Sequence, residues 1–335
     1  MGYQRQDHPT VVVDLGRGSI KLAVAESKHD AVRFHGITEI RIPQGGGEHP
    51  TASDDAAVEL LRAEVEKRRW RGMPGACILS GVATSTQSIM LPPMPEADKR
   101  RAIELKLRDT LHFDFSEATY DFTDAAPLHH AGEAQVVEEP ELTLVAVART
   151  EVIEHSLDLM RAAGLRPVAV STAAESLANL SQCTSLWDSE EASIYIDMGS
   201  QSAILNLFEG KRLRLSREID IAGDSFTKAL MQPIQGRDGP VQLTYSQAEE
   251  LKAFVGYPLE PSDTEVTHGV TTRDMLTLME PVAQRIAAEV DRSIGYLCNL
   301  LGRERVDGIV LSGVDGRMPQ FDQFLRETLL SLIHI

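Results

Sequence analysis

The sequence predicts an α/β protein made of two related halves, with a small α/β insert in the first. Three observations predict it. A buried strand, an acidic residue, a Gly/Ser turn and a second strand occur twice, as Val11-Val12-Val13-Asp14-Leu15-Gly16-Arg17-Gly18-Ser19-Ile20-Lys21 and as Ile194-Tyr195-Ile196-Asp197-Met198-Gly199-Ser200-Gln201-Ser202-Ala203-Ile204. Strand-like apolar runs alternate with segments of helical period along the whole chain. At Leu91-Pro92-Pro93-Met94-Pro95 the prolines break regular structure, and the character of the sequence changes after them. A chain of 335 residues is also long for a single core, so two domains are the natural expectation.

Residues 10–26 read as two strands joined by the first glycine turn, and 31–42 continue toward a third. Gly45-Gly46-Gly47 marks an exposed loop. Ala57, Leu60, Leu61 and Val65 stand at helical spacing, which predicts an amphipathic helix over 54–69, and 76–80 make a short buried strand. After the prolines, 96–111 form a helix with Ile103, Leu107 and Leu111 on one side. A strand at 119–123, a polar loop at 127–140, an apolar strand at 141–148, a helix at 151–163 closed by Gly164, and a strand at 168–171 complete the insert and its exit. The second hairpin opens at about residue 193, with its next strand at 211–221. A Gly/Pro-rich loop over 232–240 leads into an acidic, mostly helical segment over 246–301. The chain then returns to the apolar strand Gly308-Ile309-Val310-Leu311, which ends in Ser312-Gly313. The last residues, including Leu329, Leu330, Leu332 and Ile333, are apolar, and the chain is expected to stop within or just after a helix there, exposing that face.

Composition narrows the function classes. With 33 basic and 50 acidic residues the net charge is −17, which argues against a broad nucleic-acid surface or direct binding to anionic lipid. No window approaches the roughly 18 to 20 apolar residues of a spanning helix, and residues 1–10 lack the apolar core of a secretion signal. Cys77, Cys183 and Cys298 are scattered, which fits small buried residues in a reducing compartment and a cytoplasmic protein. The histidines form no zinc pattern, and neither a nucleophile elbow nor a Walker-type loop is present.

Each hairpin offers closely spaced backbone N–H groups at a turn of small residues, the construction of an anion-binding concavity. Two such hairpins facing each other would clamp a polyphosphate, with Asp14 and Asp197 placed at the strand ends where its Mg²⁺ needs oxygen or water-mediated partners. Arg17 adds either a charge contact or a solvated turn residue. In Ala222-Gly223-Asp224-Ser225 a helix begins after a strand, so Gly223 lies either at a phosphate or at an ordinary capped helix start. Glu249 and Lys252, three apart, project from one helix face and either bracket ribose hydroxyls or form a surface ion pair. The glycine loop from Ser312 through Gly313 admits a flat base, or is only a strand-to-helix turn.

Taken in this order, phosphate hairpin, insert, second hairpin, Glu/Lys helix and terminal glycine strand resemble the actin, Hsp70 and sugar-kinase superfamily. Within it, the chain looks most like the PilM proteins of type IV pilus assembly, in the branch that includes the division protein FtsA. Beyond the hairpins, the likeness rests on the proline phrase leading into 96–108, on Ala162-Ala163-Gly164-Leu165-Arg166-Pro167-Val168, on Arg217-Glu218-Ile219 and on Ala248-Glu249-Glu250-Leu251-Lys252. It implies an actin-like, duplicated ribonuclease H-like, two-lobed fold. Residues 9–90 and 165–190 would be the first core, 91–164 the insert, 191–235 and 302–335 the second core, and 236–301 a helical upper subdomain. It also implies ATP and Mg²⁺ as ligands. Asp14, Gly16, Arg17, Gly18, Ser19 and Lys21 would form the first phosphate loop. Asp197, Gly199, Ser200, Gln201 and Ser202 would form the second, with Gly223 beside it. Asp14 and Asp197 would meet the metal through water, and Glu249, Lys252, Gly313 and Val314 the ribose and adenine. The chain departs from the pattern at Ala222, Val314 and Asp315, where relatives place glycines.

The implied function is a cytoplasmic ATP-binding scaffold with at most weak ATPase activity. It would sit beside the inner membrane by holding the N-terminal segment of a PilN-like protein, with other platform components or a second copy as further partners. An FtsA-like membrane-tethered division protein and a small-molecule kinase stand beside this reading. The first would need an amphipathic tail and the second a general base for a substrate hydroxyl.

Overall fold

The computed structural model describes residues 8–16, 19–28, 31–42, 54–79, 84–124, 141–183, 191–236, 239–329 and 333–334. Arg17, Gly18, the Gly45-Gly46-Gly47 loop, the 127–140 loop, Leu330, Leu332 and the side chains of Cys183 and Ile333 lie outside what is described. The chain forms two compact units.

In the first unit, β1 (Thr10–Leu15), β2 (Ser19–Lys28), β3 (Ala31–Arg41), β4 (Pro74–Leu79) and β8 (Arg166–Thr172) make one sheet in the order β3-β2-β1-β4-β8. The first three strands are an antiparallel meander, and β4 and β8 join it in parallel. Parallel pairing requires a crossover connection, and α1 (Asp54–Lys67) provides the one between β3 and β4. Leu61 and Val65 of α1 are fully buried with Val11, Val13, Ile20 and Cys77. Arg69, at φ 60, ends the turn after α1. Burial and the Asp14 carboxylate push the Cys77 thiol up to about 12, so it is an inert core residue.

The insert is a three-stranded antiparallel sheet, β5 (Thr84–Leu91), β6 (Ala118–Asp124) and β7 (Glu141–Arg149), in the order β5-β7-β6. α2 (Glu96–Thr110) buries Ile103 and Leu107 against Ile89, Leu91, Val145 and Val147. β5 has no counterpart in the sequence reading because Thr84 through Ser88 is polar throughout and shows no alternation. Its pairing with β7 starts the sheet of the insert ahead of the prolines. α3 (Thr150–Ala162) returns the chain to β8 through Gly164 at φ 89, a left-handed closure that favours glycine. α4 (Ala173–Cys183) follows.

Gly75 of β4 faces Met160 of α3: a Cβ placed there would come within 2.5 Å of the Met160 Cε. The obstacle is the end of a flexible side chain, so Gly75→Ala is expected to cost only about 1–2 kcal/mol in urea unfolding.

The second unit repeats the first sheet. β9 (Ala192–Met198), β10 (Ala203–Glu209), β11 (Arg212–Ile219), β16 (Gly308–Ser312) and β17 (Ile333–His334) run in the order β11-β10-β9-β16-β17, with the same antiparallel meander and the same parallel additions. β17 adds a strand after α8, pairing Ile333 and His334 with Ile309 and Val310; of the apolar residues expected to be exposed at this end, Leu329 packs on the core, and Leu330, Leu332 and the Ile333 side chain lie outside what is described. The 232–240 loop also holds a small ladder, β12 (Ile234–Gly236) with β13 (Gly239–Val241). Helices α5 (Gly223–Leu230), α6 (Tyr245–Val255), α7 (Thr272–Leu301) and α8 (Phe321–Leu329) cover the unit, with the two-strand ladder β14 (Glu265–Thr267) and β15 (Val270–Thr271) between α6 and α7. Capping boxes at Thr244/Gln247 and Thr271/Asp274 fix the starts of α6 and α7. Phe226, Leu230, Ile286, Val290 and Phe321 are fully buried against the strands. Among the described residues, no helix is long and apolar enough to cross a membrane.

Candidate functional site

Both hairpins close with the same turn. Gly16 donates its N–H to the Ser19 carbonyl at 3.0 Å, and Gly199 donates to the Ser202 carbonyl at 3.1 Å. A Cβ on either glycine would press on that carbonyl, at 2.9 and 3.1 Å, so a side chain there forces the first turn to shift and crowds the second. In the first hairpin Asp14 and Lys21 are cross-strand partners, and the Lys21 ammonium lies 3.2 Å from the Asp14 carboxylate. Both are partly open to solvent, so each could exchange the other for a ligand at little cost.

Around the second hairpin the unit builds more. Parallel pairing of β16 with β9 sets Ser312 opposite Asp197, and the Ser312 hydroxyl stands 3.3 Å from its carboxylate. Gly313, at φ 91, lets the loop after β16 lie against the backbone of Met198, whose carbonyl oxygen would be 2.3 Å from a Cβ. The start of α5 is bound to the turn itself: Gly223 N–H donates to the Gly199 carbonyl at 3.2 Å and Asp224 N–H to the Ser200 carbonyl at 2.6 Å. Ser225 N–H turns back to the Ala222 carbonyl at 3.0 Å. The helix start at Gly223 therefore braces the hairpin, and its first N–H groups are already donated.

On α6, Glu249 and Lys252 do share a face, but the pair is not a surface one. Lys252 is 3% exposed. Its Nζ lies 2.6 Å from Glu249 Oε1, 3.0 Å from Thr227 Oγ1 and 2.7 Å from Asp315 Oδ1. Thr227 also donates to Glu249. Burial works against the charge on Lys252, but Asp315 and Glu249 outweigh it and hold the ammonium above the usual lysine range. Burial raises Asp315 as well, against the pull of Lys252, with Glu249 and Asp224 adding to the rise. Asp224 in turn accepts from the Tyr245 hydroxyl at 2.9 Å. Val314, beside this cluster in sequence, is 56% exposed.

Glu218, within Arg217-Glu218-Ile219, carries no functional expectation from the sequence. It lies on β11 near Ser202, and its Oε1 is buried without a hydrogen-bond partner among the described residues. Burial pushes this carboxyl up, Ser202 pulls it down by a hydrogen bond, and Asp220 adds to the rise. A raised folded-state pKa means stability present at acid pH is lost as pH rises through it. Glu218→Gln removes that loss, so the variant should melt a few degrees higher than wild type at pH 7, with the difference closing toward about pH 4.

The structure thus brings Asp197, Gly199, Ser200 and Gly223 together, adds Ser312 and Gly313 to them, and gathers Glu249 and Lys252 with Asp315 and Thr227. Gln201 is exposed and Ser202 half-buried at the hairpin tip. Ser312 and Thr227 had legible signals, the first from strand register and the second from its place one helical turn after Gly223. Tyr245 and Glu218 had none.

No curated protein matches this chain in sequence. Among solved structures it is similar to the PilM-PilN type IV pilus biogenesis complex, at 20% identity and a TM-score of 0.75, over 98% of this chain and 88% of that one. It is also similar to MreB5 of Spiroplasma citri bound to ADP, at 12% identity and a TM-score of 0.54, over 98% and 92%. A third is the ethanolamine utilization protein EutJ from Carboxydothermus hydrogenoformans, at 13% identity and 0.51, over 98% and 85%. The fold is actin-like. The profile described as type IV pilus assembly protein PilM matches residues 12–334. With nearly the whole chain matched, this is an actin-like protein that belongs to the PilM family of type IV pilus assembly proteins.

Proposed function

We propose that this PilM-family chain is an ATP-binding scaffold of the inner-membrane platform, and that it holds the N-terminal cytoplasmic segment of a PilN-like protein. One observation supports the nucleotide part above others: the same glycine-closed turn follows an aspartate in both units, at Asp14-Leu15-Gly16 and Asp197-Met198-Gly199. Such turns present N–H groups and strand-end carboxylates of the kind that phosphate oxygens and hydrated Mg²⁺ use. ATP would supply anionic phosphates and a metal, and the chain's own part is to bind and orient them. Asp14 in one unit and Asp197 in the other would each offer a carboxylate to a hydrated metal, and Lys21, now on Asp14, would be available to a phosphate oxygen. Glu249, partly exposed, and Val314 would meet the ribose and base. The fit is good at the hairpins and poor at Lys252, which is buried and fully committed. The platform role accords with a matched structure that is a PilM–PilN complex, and a partner of that kind would keep the chain at the inner membrane in the cytoplasm.

Calorimetric titration with Mg-ATP tests the nucleotide part. Saturable binding is expected, weakened at least about tenfold in Asp14→Ala and Asp197→Ala, a change of about 1.4 kcal/mol. Absence of binding by the intact chain would sink it.

A further inference from the structure

Lys252 has three N–H groups and three acceptors. An ammonium donates three hydrogen bonds and no more, and here Glu249, Thr227 and Asp315 take all of them at 2.6, 3.0 and 2.7 Å. A ribose hydroxyl or phosphate oxygen arriving at Lys252 finds no donor until one of these acceptors leaves.

The three are not equally fixed. Glu249 stands on α6 beside Lys252 itself, and Thr227 is buried on α5. Asp315 sits in the short turn Asp315–Arg317 after β16, next to the exposed Val314. Its carboxylate also fills space beside the second hairpin's brace: a Cβ on Gly223 would fall 1.9 Å from Asp315 Oδ2. Glu249 and Asp315 set two carboxylates on the single ammonium, and Asp224 adds a third negative charge close to Asp315, which opposes the entry of an anion.

We propose that Asp315 is an internal competitor and specificity-determining residue: its carboxylate occupies Lys252 and the space over Gly223, so that a nucleoside phosphate binds this unit only by displacing it. This rests on the nucleotide reading above and adds what limits the affinity. A ligand must therefore compete with a partner from the same chain.

The test is calorimetric titration of the whole chain with Mg-ADP, in wild type, Asp315→Ala and Asp315→Asn, with circular dichroism melts showing that each variant is folded. Asp315→Ala is expected to bind at least about tenfold more tightly than wild type. Asp315→Asn, which keeps an oxygen for Lys252 but drops the charge, should show a smaller gain, and it decides the matter if the alanine variant does not fold. Wild-type binding that is unchanged or weakened in the folded variants would overturn the competitor role while leaving the nucleotide reading intact. Binding by the variants alone would support the competitor role and show that the natural chain does not take nucleotide. No binding by any of the three would overturn both.

Discussion

Lys252→Met is expected to destabilise the chain by about 3–5 kcal/mol, because it leaves the Asp315 and Glu249 carboxylates without their shared cation in a largely buried site. For a chain of this size that corresponds to a fall of roughly 4–7 °C in melting temperature, read by circular dichroism. The methionine fills most of the space of the lysine stem, so the loss reports charge and not a cavity. Its pH dependence has a definite sign. Burial already holds the Asp315 carboxyl above the usual carboxylate range, so acidification protonates it and removes the unpaired charge. The deficit relative to wild type should therefore shrink from pH 7 toward about pH 4. A deficit that is constant with pH would place the cost in packing.

Gly313→Ala is expected to cost more than about 4 kcal/mol, a size reserved for a few mechanisms. Two of them coincide here. Residue 313 adopts φ 91, which an L side chain disfavours, and the new Cβ would meet the Met198 carbonyl oxygen, carbon and nitrogen at 2.3, 2.6 and 2.7 Å. These are backbone atoms of β9, the strand that ends at the second hairpin. They cannot move without disturbing the Gly199–Ser202 turn. Urea unfolding of Gly313→Ala beside Gly75→Ala makes the contrast, since the second meets only the tip of Met160.

Much of this was legible in the chain because it depended on local rules. The Asp-x-Gly turn announces itself wherever it recurs, and 54–69 and 96–111 show their period through Leu61, Val65, Ile103 and Leu107. β5 was not legible, because Thr84 to Ser88 becomes a strand by pairing with β7 and not by its own apolar pattern. α4 and β17 are likewise set by what they pack on or pair with. At the site, the spacing of Glu249 and Lys252 placed them on one helix face, but it could not tell that the face turns inward. That fact belongs to Asp315, which stands far along the chain and arrives only when β16 pairs with β9. Asp315 was visible as a departure from the family pattern. What a carboxylate at that place does is written in its distance to Lys252.

The central proposal, that the chain is a nucleotide-binding scaffold that holds the N-terminal segment of a PilN-like protein, is tested most directly by one titration. A synthetic peptide from the N-terminus of a PilN-like protein is added to the intact chain with and without Mg-ATP, and heat is recorded. Saturable binding of one peptide per chain is predicted, and a separate saturable heat on adding Mg-ATP. No peptide binding under either condition would contradict it.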